Sequence, residues 1–134
     1  MTLADFKAAV GVVGGVIVYY LGGWDIALYA LLMVMVLDYL TGVSKAVYLG
    51  KLNSYIGFKG ITKKVAYLFL VALAAQVDLI TGATGAVRSI VIMFLFANEG
   101  LSIVENLAEM EVPIPDTIRN ALEVLKAKDK NGGK

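Results

Sequence analysis

Apolar residues come in four long runs separated by short polar or glycine-bearing breaks, and a fifth, charged segment closes the chain. The first run, Ala8 to Leu21, covers only about 21 Å at the helical rise, against a hydrocarbon core of about 30 Å. Adding Leu3 to Lys7, with Lys7 snorkelling, lengthens it toward a span of a thinned bilayer. After the break Gly22-Gly23-Trp24-Asp25, with Trp24 suited to an interface, the second run extends from Ile26 to about Val47. Gly50, Asn53, Ser54 and Gly57 mark a loop. The third run starts near Ile61 with Lys63 and Lys64 at its mouth and continues to Ile80, interrupted by Gln76 and Asp78.

Thr81 to Gly85 is a turn between antiparallel helices, and the fourth run goes from Ala86 to about Ala108. Its first half is apolar. Its second half bears Asn98, Glu99, Ser102, Glu105 and Asn106. Pro113 and Pro115 end it, Asp116 is placed to cap a final helix, and Ile118, Leu122 and Leu125 give that helix a narrow apolar stripe. The tail beyond Lys126 has the composition of a mobile terminus.

The expected fold is therefore all-α: an integral membrane bundle of four short transmembrane helices over residues 1–112, followed by an amphipathic helix and basic tail over 113–134. Three spans plus an interfacial first helix is the alternative. Lys7 ahead of an apolar run resembles a secretory signal, but no convincing small-residue cleavage pattern follows it, so the segment is read as part of the structure.

Composition agrees, with 59% hydrophobic and 17% charged residues and a mean hydropathy of +0.77, against about 45–50% and about 25% in globular domains. A formal charge of +1 leaves no basic face for nucleic acid. Absence of Cys and His removes disulfides, thiolates and the usual metal and haem ligands, and no cofactor is expected. With four spans, every Lys and Arg except Arg88 falls on one side, which the positive-inside rule makes cytoplasmic, together with both termini.

Small residues organise the first run: Ala4, Ala8, Gly11, Gly15 and Gly22 share a face, and Gly11 with Gly15 is a GxxxG pair. Such a face favours close helix packing, either within one protomer or between subunits. Ionisable groups within spans are costly and usually functional. Asp38 and Lys45 share a face of the second run, with Thr41 and Gly42 between them, and Gly42, Ala46 and Gly50 form a ridge beside it.

On the fourth run, Asn98, Ser102, Glu105 and Glu109 form one stripe, and Glu99, Ser102 and Asn106 the adjoining one. Lys45, Lys63 and Lys64 stand at comparable depth, so Glu99 or Glu105 is expected to pair with them. Asp78 and Arg88 are expected to form a local ion pair at the other end. Asp38 with Glu99 is a conceivable acid–base pair, but no nucleophile motif, phosphate loop or metal-ligand spacing accompanies it, and Gly57 to Gly60 fit neither nucleotide-binding pattern. No enzyme is expected.

Several stretches together resemble the toxin-secretion and phage-lysis holins: Leu37-Asp38-Tyr39-Leu40-Thr41-Gly42, the Gly57-Phe58-Lys59-Gly60-Ile61 loop with Lys63-Lys64, Ala97-Asn98-Glu99-Gly100-Leu101-Ser102-Ile103 with Glu105-Asn106, and Val112-Pro113-Ile114-Pro115. The resemblance implies a phage-encoded protein that accumulates in the bacterial cytoplasmic membrane and oligomerises. It then opens lesions through which an endolysin, or in some members a toxin, passes without stable binding. Some holins also start at a second methionine to make an inhibitor form; Met33, inside the second run, gives that device no support.

Under this reading Asp38, Thr41, Lys45, Asn98, Glu99, Ser102 and Glu105 form a polar seam that becomes water-lined on assembly, Gly11, Gly15 and Gly42 serve packing, and Lys59, Lys63 and Lys64 anchor the cytoplasmic loop. A small oligomeric channel or transporter is the rival, though no internal repeat supports it. A membrane scaffold would not need the intramembrane charges.

Overall fold

The structure, a computed structural model, is described over residues 1–131 and contains five helices there: α1 (Leu3–Tyr20), α2 (Ile26–Tyr48), α3 (Ser54–Thr81), α4 (Ala86–Glu109) and α5 (Asp116–Asn131). The first four are long and apolar enough to cross a membrane. The expectation for Gly132, Gly133 and Lys134 lies outside the described residues.

Each start has a local cause. Thr2 and Asp5 form a reciprocal capping box on α1, the Asp25 carboxylate accepts from Leu28 N at 2.8 Å, and the Asn53 side chain accepts from Tyr55 N at 2.8 Å. Helix α4 takes its cap from another helix. Gly85 enters it in the left-handed region without a capping side chain, and Asp78 of α3 accepts from Val87 N and Arg88 N, both at 2.9 Å. The α3–α4 turn is thus closed by a buried carboxylate that reaches back across it. At the far end of α4, Glu111 takes a φ of 63°, and its side chain accepts a hydrogen bond from the Tyr48 hydroxyl at 3.0 Å.

One boundary differs from the sequence expectation. Gly57 and Gly60 do not lie in a loop; α3 starts at Ser54 and runs through both. Both lie beside Tyr39: a Cβ at Gly57 would stand 3.5 Å from the Tyr39 hydroxyl, and one at Gly60 4.0 Å from the Tyr39 ring, ordinary contact distances. A side chain longer than a methyl at either position would press on Tyr39.

Helix α4 lies at the centre, with α2, α3 and α5 packed around it. Leu21, Leu28, Leu31, Met35, Val71, Ile92 and Leu95 make the apolar core. Between lipid-facing helices it is close packing rather than removal from water that stabilises such a core. Helix α1 stands apart. It buries no residue, and a Cβ at Gly11, Gly14 or Gly15 would meet nothing within 4 Å, so the GxxxG face has no partner among the described residues.

Candidate functional site

Polar side chains gather in two layers. The first lies where α2, α3 and α4 meet on the lysine-rich half of the bundle. Lys64 Nζ bonds Asp38 Oδ2 at 2.7 Å and also Glu99 Oε2. Asn106 Nδ2 donates to Asp38 Oδ1 and to Thr41 Oγ1, each at 3.1 Å, and Thr41 Oγ1 donates to Leu37 O at 2.8 Å. Glu99 and Asn106 are buried, 4% and 6% exposed.

The layer exists because five residues on three helices, Asp38 and Thr41 of α2, Lys64 of α3, and Glu99 and Asn106 of α4, occur at matching levels. Gly42 lies beside the layer: a Cβ there would stand 3.7 Å from Asn106 Nδ2, an ordinary contact distance. Both carboxylates share one ammonium, and every buried side-chain nitrogen and oxygen among the described residues has a partner, as a low-dielectric site demands.

Of the sequence-predicted residues, Asp38, Thr41 and Glu99 meet here. Lys45 instead reaches Glu109 at 3.6 Å, nearer the helix ends, where both side chains are partly exposed. Asn98 and Ser102 are half-buried, Glu105 is exposed, and none of the three joins the layer. Lys64, expected both among the loop anchors and as a partner of Glu99 or Glu105, is turned into the bundle and pairs with Glu99. Lys59 and Lys63 stay exposed, Lys63 lying 5.7 Å from the centroid of the Tyr67 ring. Asn106, recognised on a polar stripe but not among the seam residues, is the amide that ties α4 to α2.

The second layer lies at the opposite end. Arg88 is 7% exposed, and its guanidinium donates to Leu21 O at 2.6 Å, Gly23 O at 3.0 Å and Asp25 Oδ2 at 2.6 Å. The expected Asp78–Arg88 pairing is corrected here. The two residues do meet, but Asp78 receives the Arg88 backbone amide, while the guanidinium turns to the α1–α2 loop. Gly22 is required at this point; its φ is +90° and a Cβ would lie 2.6 Å from Arg88 Nε.

The Arg88 guanidinium, hydrogen-bonded to Asp25, holds that carboxyl below its ordinary value. A depressed carboxylate stabilises the fold at pH above its ordinary value, and the contribution is lost as pH falls through the lowered one. Acidification on the Arg88 side is therefore expected to loosen the α1–α2 loop only below the ordinary Asp range. Emission from Trp24, the single tryptophan, measures this; a transition at or above the ordinary value would contradict the assignment.

No group of His, Cys, Asp or Glu able to hold a metal ion occurs among the described residues. The arrangement is that of a small polytopic membrane protein whose helices are joined by buried ionic layers. The bacteriophage holin family model matches residues 15–127, and the chain belongs to that family. The match begins inside α1.

Among its relatives is an uncharacterized protein of Listeria innocua, 43% identical over 115 residues that cover 86% of this chain and 82% of the relative. An uncharacterized 14.9 kDa protein of Clostridium perfringens is 41% identical, with 86% and 88% covered. A probable holin of Bacillus phage phi105 is 35% identical over 108 residues, 81% of this chain and 80% of that protein. No solved structure matches the chain.

Proposed function

We propose that the protein is a holin of the bacterial cytoplasmic membrane that accumulates, self-associates and opens lesions, releasing an endolysin or a toxin and so timing host lysis. The cargo passes without stable binding. The lysine-rich end and both termini face the cytoplasm in this reading, with Lys59 and Lys63 as surface anchors.

The observation that supports it most is the Asp38–Lys64–Glu99 layer, a set of charges satisfied within one protomer yet set among membrane-length helices. While subunits are dispersed, these groups satisfy one another; on assembly the Asp38, Thr41 and Glu99 faces turn toward water, with Asn98, Ser102 and Glu105 beside them. A charge is costly in lipid and much less so beside a hydrated lesion, so the equilibrium shifts toward opening as subunits accumulate. Gly11 and Gly15 of the unpartnered α1 supply a subunit contact, and Gly42 a packing position within the protomer.

Expression in bacteria tests the reading. The expected result is abrupt growth arrest with leakage of a protein-sized marker; ion leakage alone would favour a channel, and no leakage a scaffold. Glu99→Gln removes part of the gain from hydration and is expected to delay the onset, and Lys45→Gln to shift it. Unchanged timing and oligomer size in both variants would refute the mechanism.

A further inference from the structure

Helix α5 folds back along α4 to a level that a bilayer of full thickness beginning at the start of α4 would reach. Leu122, six residues into α5, is buried against Gly100, which stands nine residues before the end of α4. The chain therefore reverses at Met110 to Pro115, and α5 turns back over α4. The contact is close: a Cβ at Gly100 would lie 2.6 Å from Leu122 Cδ2.

Gly100 is fourteen residues from Ala86, about 21 Å along the helix. A hydrocarbon slab of about 30 Å that began at Ala86 would reach some way past Gly100, by roughly 9 Å. It would then surround α5, whose Asn120, Glu123 and Lys128 are exposed. Charged and amide side chains facing lipid tails are strongly disfavoured.

The ionic layers mark the same limit. The dry part of α4 lies between Arg88 and Glu99, eleven residues or about 17 Å, and the Glu99 level coincides with the α5 contact. The released helix has somewhere to go. Ile118 remains about half exposed when α5 is docked, at 51%, and the apolar side it shares with Leu122 and Leu125 is bordered by Arg119 and Lys126 on one edge and Lys128 on the other, the pattern of a helix that rests on a membrane surface.

We propose that α5 is a strap governed by hydrophobic thickness: it docks on α4 at Gly100 where the bilayer is thinned or replaced by water, and moves to the lipid surface where the bilayer has full thickness. The proposal goes beyond the holin reading and does not depend on what crosses the membrane.

The chain contains no cysteine, so a Gly100→Cys/Leu122→Cys pair reports docking directly. The Cβ position at Gly100 is 3.4 Å from Leu122 Cγ, which brings the two Cβ atoms near disulfide range, and the second substitution removes the atoms that would clash. The full chain is reconstituted in phosphatidylcholine vesicles with acyl chains of about 14 or about 22 carbons, and intramolecular disulfide formation is followed under the same oxidant. The expected result is formation roughly fivefold or more faster in the thin bilayer.

Energy transfer from Trp24 to a dye on the exposed Lys128→Cys provides a second measurement on an unaltered α4 face. Transfer is expected to be higher in the thin bilayer. Equal cross-linking and equal transfer in the two bilayers, or an advantage for the thick one, overturns the proposal.

Discussion

Lys64→Met is expected to be the most damaging single substitution in the bundle. It removes the cation that joins Asp38 to Glu99 and leaves two carboxylates facing each other in a buried site. Breaking a buried ion pair from one side costs about 3–5 kcal/mol, a large part of the about 5–15 kcal/mol that holds a typical protein folded. Glu99→Gln should cost much less, because Lys64 and Asp38 remain a balanced pair and Asn106 still donates to Asp38.

The triple variant Asp38→Asn/Lys64→Met/Glu99→Gln removes all three charges and is expected to recover most of the loss, since a buried ionic set can often be exchanged for neutral groups at little cost. Unfolding by denaturing detergent, followed by helical circular dichroism, gives the ranking. Equal midpoints for Lys64→Met and Glu99→Gln would show that the shared ammonium does not organise the layer.

Arg88→Gln is expected to have the second largest effect, confined to the opposite end. Hydrogen bonds to charged groups each contribute about 1.5–3 kcal/mol. The guanidinium makes such bonds to Leu21 O, Gly23 O and Asp25, but the Asp25 side chain is 47% exposed and water screens that part. A loss of about 2–3 kcal/mol follows.

Arg88→Lys should recover only part of it, because one ammonium cannot reproduce the planar fork that reaches two carbonyls and a carboxylate. The acid transition reported by Trp24 should also move upward in Arg88→Gln, as Asp25 returns toward its ordinary value. An unshifted transition would show that Arg88 is not what holds the carboxyl down.

The four membrane-length helices were legible because three apolar runs have the length of a span, the first reaches toward it once Leu3 to Lys7 are added, and each ends at a glycine, asparagine or proline with a clear local role. Asp38, Thr41 and Glu99 were legible as a polar seam because charge inside an apolar run is rarely idle. The start of α3 was not. Gly57 and Gly60 have the composition of a turn, but the Asn53 cap starts the helix ahead of them and α3 runs through both.

Lys64 was read both as a loop anchor and as a partner for Glu99 or Glu105; the pairing holds, and the anchor role fell with the misplaced start of α3. With the helix starting near Ile61, Lys63 and Lys64 both lie at its mouth; with the start at Ser54 they stand well inside it, about 100° apart around the axis, one outward and one inward. Asp25 and Arg88 are separated by the whole of α2 and α3, and periodicity within one segment carries no information about such a pair.

The isolation of α1 also sets where cooperative folding begins. Its backbone hydrogen bonds are satisfied internally, so it is stable in lipid without neighbours, while the first residue whose side chain enters the apolar core is Leu21, immediately beyond its end. Insertion of α1 and assembly of the α2–α4 bundle are thus separate events joined only by the Leu21–Asp25 hinge. A contact made or lost along α1 would leave undisturbed the packed core that starts at Leu21.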